Sequence, residues 1–161
     1  MKVVLYMAMS ADGFIAGAGD ETPWSKAEWT AFAAFVRSCD TVLVGRRTYE
    51  IMRQQDEFVD GPEYIVATSG ASLDTGNLRR LCITSKADLP RAAKLGVIGG
   101  GDLNGRLAQL GAIDEVILDV EPIVLGSGTR LFGTHHVRLN LALQASRRIG
   151  PHTIQNHYTV Q

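Results

Sequence analysis

Three short segments of the sequence contain residue types that bind phosphate groups. Gly99-Gly100-Gly101 lies between a strand-like apolar run and a helical pattern that begins at Asp102 and Leu103, so its backbone N–H groups stay open at a positive helix end. Gly45-Arg46-Arg47-Thr48 places two guanidinium groups and a hydroxyl directly after a β-branched run. Thr68-Ser69 follows the next such run. Because parallel strands end at one edge of their sheet, these segments predict a shared groove for a dinucleotide.

Each of the three segments also has a simpler interpretation. The glycines could form a tight strand-to-helix turn without a ligand, and Arg46 and Arg47 could be solvated surface residues. A Rossmann site is disfavoured because its spacing needs a third glycine where Asn104 stands, and because about 95 residues precede the glycines. The order of the three segments, each at the end of a predicted strand, favours the shared groove.

Two acids could supply a proton to a ligand in that groove. Asp12 belongs to the turn Asp12-Gly13, directly after the first predicted strand, where it could cap the loop or place a carboxylate near the mouth of the groove. Glu28 stands three residues after Ser25, so it could be the acid of a capping box or a proton donor that faces the groove. The residues alone leave both alternatives open for each acid.

Histidines and cysteines form no pattern that is typical of a metal site. His135 and His136 are adjacent, so they would point to opposite faces of a strand, and they lack a third ligand; we interpret them as loop residues. Cys39 and Cys82 each lack a second cysteine nearby, which predicts two buried thiols in a reducing cytoplasm. We expect no bound metal.

The elements that must position these residues alternate between strands and helices. Apolar or β-branched runs predict strands at 1–9, 41–44, 64–67, 81–83, 96–98 and 115–120. Helical patterns run from Ser25, where Trp29, Phe32, Ala33 and Val36 form one stripe, and over 48–55, around 89–94 and over 102–110. The fold class predicted is α/β, with a mostly parallel central sheet flanked by helices.

The end of the chain has a different pattern. Leu139, Leu141 and Leu143 alternate with polar or small residues, a turn follows at Gly150-Pro151, and a second alternating run begins at Ile154. This pattern predicts a C-terminal antiparallel hairpin. We find no linker, so we expect one domain over residues 1–161.

Composition and charge limit the partners. The 161 residues are 45% hydrophobic, enough for a core without disulfides, and the formal net charge of −1 offers no basic field for nucleic acid. The apolar run at 1–9 is too short to cross a membrane and lacks a signal-peptide cleavage pattern. We therefore expect a cytoplasmic protein that binds neither nucleic acid nor membrane.

Taken together, these motifs resemble the dihydrofolate-reductase-like superfamily, and within it the reductase domain of the riboflavin-pathway deaminase-reductases and their stand-alone relatives. The resemblance covers Met1 to about Phe132. It rests on the order and spacing of Ser10-x-Asp12-Gly13-x-Ile15-Ala16, Gly45-Arg46-x-Thr48-Tyr49-Glu50, Gly99-Gly100-Gly101-x-Leu103, Ile113-Asp114-Glu115 and Pro122-Ile123-Val124-Leu125-Gly126-x-Gly128-x-x-Leu131-Phe132.

The resemblance implies a dihydrofolate-reductase-like fold and an NADPH-dependent reductase that transfers a hydride to a small pterin- or pyrimidine-like heterocycle, similar to 5-amino-6-(5-phosphoribosylamino)uracil reductase. Two alternatives are a dinucleotide-binding module without catalysis and true dihydrofolate reduction. Ile98 stands before the glycines, where riboflavin-pathway reductases usually have an acid, and the zinc signature of the companion deaminase is absent from the sequence.

The resemblance also implies roles for individual residues. Arg46 and Thr48 would hold the phosphates of NADPH, Thr68 and Ser69 would lie near its 2′-phosphate, and Gly99 to Gly101 would cradle the pyrophosphate. The full set of expected cofactor contacts is Ala8, Ile15, Gly45, Arg46, Arg47, Thr48, Thr68, Ser69, Gly99, Gly100, Gly101, Asp102 and Leu103. Trp24 and Phe32 are expected to contact the substrate, with Asp12 or Glu28 as proton donor. The family likeness and the terminal leucines predict a homodimer.

Overall fold

The computed structural model describes residues 1–70 and 74–161. Within these residues the helices are α1 (Lys26–Arg37), α2 (Arg46–Gln55) and α3 (Gly101–Gln109). The strands are β1 (Lys2–Ser10), β2 (Phe14–Ala16), β3 (Thr41–Gly45), β4 (Glu63–Ala67), β5 (Arg79–Leu81), β6 (Lys94–Val97), β7 (Glu115–Glu121), β8 (Thr129–Arg130), β9 (Leu141–Arg148) and β10 (Ile154–Val160).

Eight of these strands form one mixed sheet in the order β5-β4-β3-β6-β1-β7-β10-β9. The six strands from β5 to β7 run parallel, β10 pairs antiparallel with β7, and β9 closes the hairpin with β10. This arrangement confirms the predicted α/β class, the mostly parallel sheet and the C-terminal hairpin. Strands β2 and β8 form a separate antiparallel pair.

The central strands of the sheet are buried on both faces, and β1 alternates its side chains between two apolar layers. Val4 and Tyr6 pack in the layer that holds α1 and α2, and Val3 and Leu5 pack in the layer that holds Leu107 of α3. The predicted stripe of α1 fits this role, since Val36 is fully buried. Covering both faces leaves the strand ends as the place where polar groups can meet a ligand.

Helix ends follow local signals that were readable in the sequence. Ser25 caps α1: its Oγ accepts the Glu28 N–H at 3.2 Å. Gly111 follows α3 in a left-handed conformation with φ of 61°, and its N–H donates to the Ala108 carbonyl at 2.9 Å. Both predicted ends are confirmed.

The segment before β6 differs from the prediction. Instead of a helix around Leu89 to Lys94, a single 3₁₀ turn spans Lys86–Asp88, and β6 already begins at Lys94. The Ser85 side chain and Asp88 form a capping box, and Pro90 lacks the N–H that a continuing helix would need. The preceding strand also ends earlier than predicted, at Leu81, so Cys82 is exposed while Cys39 is buried. The prediction of two buried thiols is therefore wrong for Cys82.

The order of the strands creates a crevice at their carboxyl ends. The chain moves outward from β3 to β4 and β5, whereas β6 inserts between β3 and β1, so connections leave the sheet in opposite directions at this point. Open α/β sheets bind ligands at such a switch point. Among the helices at residues 1–70 and 74–161, none has the length and apolar content to cross a membrane.

Candidate functional site

One large cavity lies over the carboxyl ends of the parallel strands. Its volume is about 890 Å³, which suits a dinucleotide with a small second ligand better than a single small molecule. Fifteen of the seventeen residues expected to contact ligands line it: Ala8, Ile15, Trp24, Glu28, Phe32, Gly45, Arg46, Arg47, Thr48, Thr68, Ser69, Gly100, Gly101, Asp102 and Leu103. The structure thus brings the three phosphate-type segments together.

Helix α2 separates two chemically different ends of the cavity. It has 10 residues and is therefore about 15 Å long. Near its first turn lie Gly45, Thr48 and Gly100, which we call the glycine-lined end. Beyond its last turn lies Glu57, which faces the cavity together with Glu28 of α1; we call this the acidic end.

The glycine-lined end is built by two helix starts that lack side-chain caps. Gly45 precedes α2 and Gly100 precedes α3, and neither can offer an oxygen to the first N–H groups of its helix. The two starts are joined, since the Gly45 N–H donates to the Gly99 carbonyl at 2.7 Å. Gly99 itself supports Gly100 from behind and does not line the cavity. Two positive helix ends therefore open into one space.

Side chains around this end add positive charge and hydroxyl groups. Arg46 is largely exposed and lies 4.0 Å from Glu50, too far for a strong pair. Arg47 also lines the cavity, but its Nε donates to Asp20 at 2.9 Å. The Thr48 Oγ1 would stand 3.1 Å from a Cβ added at Gly100, so the hydroxyl lies directly over the glycine turn. This arrangement suits a phosphate-bearing ligand.

Thr68 and Ser69 extend the glycine-lined end along the next strand, as expected from the sequence. The Thr68 Oγ1 accepts the Gly70 N–H at 3.0 Å, which fixes the hydroxyl in a tight turn. Cys82 and Arg106 also line this region, although sequence reasoning assigned neither of them to the site. Arg106 donates to the Ile83 carbonyl at 3.3 Å, an orientation that requires the fold to be known.

The acidic end contains a buried carboxyl group without a hydrogen-bond partner in the described chain. Glu28 is 4% exposed, and it lines the cavity. Its backbone N–H donates to the Ser25 hydroxyl, which caps the helix. The capping-box alternative is therefore not realised, because the carboxyl does not reach back to Ser25. Burial first, and then the nearby carboxyls of Asp119, Glu121 and Glu57, together raise the pKa of Glu28 to about 8. Glu28 thus holds a proton near neutral pH.

Buried polar groups from the sheet stand behind Glu28. The Tyr6 hydroxyl donates to Asp119, whose side chain is fully buried, and burial raises the pKa of both groups. Glu121 is held by the Ser25 N–H at 2.8 Å and by the Thr153 hydroxyl at 2.8 Å. The alternation of Asp119 and Glu121 within the apolar run of β7 was the sequence signal for this group, because alternate strand residues share a face.

Aromatic rings form the walls of the acidic end. Trp24 and Phe32 line the cavity as expected, and Trp29, which was predicted only as part of the α1 stripe, lines it as well. The Phe32 ring meets Trp29 at 5.4 Å and Tyr6 at 5.8 Å between centroids. Flat apolar walls with one neutral acid are suited to a planar ring that carries polar edges.

Asp12, the other expected proton donor, lies outside the cavity lining. Its carboxyl accepts the Ser10 hydroxyl at 2.6 Å and the N–H groups of Leu125 and Gly126 at 3.1 and 2.8 Å. These hydrogen bonds, first among them the one from Ser10, lower the pKa of Asp12 to about 2. An ionised acid that anchors a loop cannot donate a proton at neutral pH, so the structure favours the capping alternative for Asp12.

His135 takes a structural position that accords with its interpretation as a loop residue. Its imidazole lies between Asp102 at 2.8 Å and Gln109 at 3.1 Å, and it packs over Gly105 of α3. Within residues 1–70 and 74–161, no three His, Cys, Asp or Glu side chains are grouped so that they could hold a metal ion.

Comparison with known families gives a match over nearly the whole chain. A family model described as the RibD C-terminal domain matches residues 1–97 and 92–155. The uncharacterized protein YwjB of Bacillus subtilis (strain 168) is 29% identical, with 98% of this chain and 97% of that protein covered.

Solved structures share the fold at low sequence identity. A putative riboflavin biosynthesis protein from Shewanella sp. PV-4 has a TM-score of 0.80 at 21% identity, and the match covers 100% of this chain and 99% of that one. A diaminohydroxyphosphoribosylaminopyrimidine deaminase/5-amino-6-(5-phosphoribosylamino)uracil reductase from Thermotoga maritima has a TM-score of 0.77 at 15% identity, with 99% of this chain and 56% of that chain covered. These solved structures therefore share the fold described above.

Proposed function

Because this chain belongs to the RibD C-terminal domain family, we propose that it is an NADPH-dependent reductase that transfers a hydride to a small pterin- or pyrimidine-like heterocycle. The observation that carries the proposal is the cavity itself, in which two uncapped helix starts lie at one end and a buried acid, whose pKa is raised by its surroundings, lies at the other. A dinucleotide needs the first feature, and reduction of a C=N bond needs the second.

The glycine-lined end fits the phosphates of a dinucleotide. In our proposal the N–H groups at the starts of α2 and α3 bind the pyrophosphate, with Arg46 and Thr48 beside it. Asp102 contributes its backbone N–H while its carboxylate faces His135. Gly101 has no room for a side chain, because a Cβ there would lie 2.6 Å from the Gly133 backbone nitrogen.

The choice of NADPH over NADH rests on the neighbouring strand end. Thr68 and Ser69 offer hydroxyl groups there, and Arg46 is largely exposed at the adjacent helix start. A 2′-phosphate carries up to two negative charges, so these donors favour the phosphorylated cofactor. Arg47 contributes less, because Asp20 already neutralises its guanidinium.

At the centre of the cavity the chain must orient two flat rings. Ala8, Ile15, Trp24 and Phe32 all line the cavity. In our proposal the nicotinamide lies against Ala8 and Ile15, and the substrate ring lies against Trp24 and Phe32. When bound, NADPH supplies the hydride. The chain's own residues bind and orient the substrate ring, and the Glu28 carboxyl holds the proton that the reduced ring nitrogen requires.

Three measurements test this proposal. Fluorescence titration should detect NADPH binding at concentrations well below about 1 mM. With a panel of pterins and aminopyrimidines, Glu28→Gln should lower turnover by about 100-fold or more while NADPH affinity stays unchanged, because only the proton donor is lost. Turnover of the unmodified protein should decline as the pH rises through about 8, where Glu28 loses its proton.

Glu63→Gln is the matched control, since it removes an exposed carboxylate at the far end of β4 and should leave turnover unchanged. Failure to bind NADPH at millimolar concentration would contradict the proposal. Binding of NADPH without reduction of any substrate in the panel would instead favour a binding module that lacks catalysis.

A homodimer is the second part of the proposal. The edge strand β9 exposes Leu143 at 58% and Leu141 at 40%, and these side chains are an apolar surface that association would cover. Sedimentation velocity should give a mass twice that of the 17.4 kDa chain. A monomer mass at every concentration up to the millimolar range would contradict this.

A further inference from the structure

The start of α1 is held by a buried acid at the end of β7. Glu121 is 2% exposed and accepts three hydrogen bonds: from the Ser25 N–H at 2.8 Å, from the Ser25 hydroxyl at 3.0 Å and from the Thr153 hydroxyl at 2.8 Å. Three donors around one carboxyl suit its ionised form, because a carboxylate only accepts. Glu121 therefore joins three parts of the chain that are far apart in sequence.

One of these parts is the turn of the C-terminal hairpin, which packs on α1. Thr153 directly precedes β10 and is 2% exposed, and its carbonyl accepts the Ile149 N–H at 3.0 Å, which closes the turn. A Cβ added at Gly150 would lie 2.6 Å from the Ala27 Cβ, so the turn lies directly against the first residues of the helix. The hairpin thus supports α1 at the end that carries Glu28.

The hydrogen bonds continue from Glu121 through Ser25 to Glu28. The Ser25 hydroxyl that donates to Glu121 also accepts the Glu28 N–H at 3.2 Å. Glu28 is in the first turn of α1, so the direction in which the helix starts decides where its carboxyl lies in the cavity. A change at Glu121 or Thr153 should therefore reach Glu28 through this short chain of hydrogen bonds.

Acids from two other elements lie near Glu28. Asp119 and Glu121 belong to β7, and Glu57 follows α2. Burial is the first cause of the raised pKa of Glu28, and the carboxyls of Asp119, Glu121 and Glu57 add to it. Of these acids, Glu121 also binds Ser25, the cap of α1, so it acts on Glu28 by its charge and by its hydrogen bonds.

Other charged or titratable groups face this region from β1, from the hairpin and from α1 itself. The Tyr6 hydroxyl of β1 donates to Asp119. Gln155 stands opposite Asp119 in the pairing of β7 with β10, and its amide oxygen accepts the Arg147 guanidinium at 3.0 and 2.7 Å. Lys26 is exposed at the first residue of α1. Screening by solvent is weak among the buried groups, so the charge of a single acid matters there.

We infer that Glu121 is a positioning residue for the proton donor: it anchors the start of α1 to the C-terminal hairpin and holds a negative charge behind Glu28. This inference rests on the proposed function and adds to it two residues outside the cavity lining, Glu121 and Thr153. Loss of the charge or of the link to the hairpin should change Glu28 and spare the glycine-lined end, because α2 and α3 build that end.

Glu121→Gln tests the charge. Carbon-13 NMR titration of the Glu28 carboxyl, without cofactor, should give a pKa lower by about 1 in this variant, because removal of a nearby negative charge makes ionisation easier. Glu121→Asp keeps the charge and should restore most of this pKa. Glu115→Gln is the matched control, since it removes a carboxylate from the same strand about 20 Å away and should leave the pKa of Glu28 unchanged. In assays with NADPH and substrate, the pH at which turnover declines should fall by the same amount in Glu121→Gln.

Thr153→Val tests the link to the hairpin, because valine keeps the β-branched shape of threonine and lacks the hydroxyl. Deuterium exchange of the Ser25 and Glu28 N–H groups should become at least about tenfold faster, since the start of α1 opens more readily. NADPH affinity should stay unchanged. Thr159→Val is the control on the same strand: its hydroxyl accepts the Gln144 amide at 3.1 Å near the other end of β10, and its loss should leave exchange at Ser25 unchanged.

Two results would overturn the inference. One is an unchanged pKa of Glu28 in Glu121→Gln, and the other is unchanged exchange at Ser25 in Thr153→Val. If Glu121→Gln does not fold, Thr153→Val decides alone, because it leaves every charge in place. Failure of the proposed function looks different: NADPH would not bind to the unmodified protein, while the expected changes at Glu28 and Ser25 in the variants persisted.

Discussion

The two ends of the cavity are built from different materials. At the glycine-lined end, main-chain groups at Gly45, Gly100 and Gly101 form the centre of the surface, and arginine and threonine side chains surround them. At the acidic end, side chains such as Glu28 and Phe32 form it. A surface of backbone N–H groups recognises a phosphate regardless of what the phosphate is attached to, whereas a surface of side chains can recognise one ring and reject another.

The starts of the helices make the same distinction. Ser25 satisfies an N–H group of α1 with its own hydroxyl, whereas glycine caps leave the starts of α2 and α3 open. An uncapped start is stabilised by an anion, and a capped start needs none. An acid rather than an anion-binding site at the start of α1 is therefore consistent with its cap. It places a third carboxyl group near Asp119 and Glu121, which raises the pKa of Glu28.

The acidic end should reduce the stability of the protein more than any other part of the site. Glu28 has a pKa of about 8 in the folded chain against 4.5 when unfolded. A raised pKa means that the folded state is fully favoured below about pH 4.5 and loses stability as the pH rises toward 8. Glu28→Gln should therefore raise the free energy of unfolding by about 3 kcal/mol near pH 9, less than the full shift because solvent in the cavity partly hydrates the ionised carboxylate.

Urea unfolding near pH 4 and near pH 9 measures this effect. The variant and the unmodified protein should agree at the lower pH, where Glu28 is protonated in both states. Glu63→Gln, which removes an exposed pair with Arg79 at 3.8 Å, should change stability by less than about 1 kcal/mol at either pH. If Glu28→Gln raises the free energy of unfolding equally at both pH values, the gain comes from packing and not from removal of a buried charge.

The glycine-lined end was largely predictable from sequence because its residues directly follow parallel strands. Its groups follow strands directly, and strands β3, β4 and β6 are apolar runs whose ends are marked by glycine or hydroxyl residues. Once three parallel strands are predicted, their carboxyl ends must meet at one edge. Knowledge of side-chain orientation was not needed.

The acidic end depends on contacts that no local pattern carries. Tyr6 and Asp119 bond across 113 positions of the chain, and Glu57 enters the cavity only because Asp56 turns the chain after α2. For Asp12 the motif was visible but the partners were not, since the N–H groups it accepts lie at Leu125 and Gly126. Long-range partners decide whether an acid anchors a loop or faces a ligand.

Local chemistry also overrode periodicity in one element of the fold. The stretch from Leu89 to Lys94 has residues that favour helix, yet the Ser85 and Asp88 capping box closes a 3₁₀ turn just before it and Pro90 follows. Pro90, which cannot continue a helix that begins after Ser85, was the sequence signal that would have corrected the prediction.

A steric change should break the glycine-lined end, with a smaller effect on stability than the removal of the buried charge. In Gly101→Ala the new Cβ would lie 2.6 Å from the Gly133 nitrogen and 2.8 Å from the Arg130 carbonyl oxygen. Both are backbone atoms, so the start of α3 or the 130–133 turn must move. We expect a loss of about 2 kcal/mol and a melting temperature lower by about 4 to 8 °C, with weaker NADPH binding because the N–H groups are displaced.

Gly70→Ala provides the control for this change, because among residues 1–70 and 74–161 its Cβ would meet only the Thr68 Oγ1, at 3.5 Å, which is an ordinary contact, and its stability should be nearly unchanged. Calorimetric melting and NADPH titration of both variants test the two expected effects separately. If Gly101→Ala melts at a lower temperature but binds NADPH as before, the backbone N–H groups at the start of α3 do not bind the phosphates. That result would contradict the view that main-chain groups form the phosphate site. If the melting temperature and the NADPH affinity both fall, the two ends differ in what limits their stability. Space for the backbone limits the glycine-lined end, and the buried charge limits the acidic end.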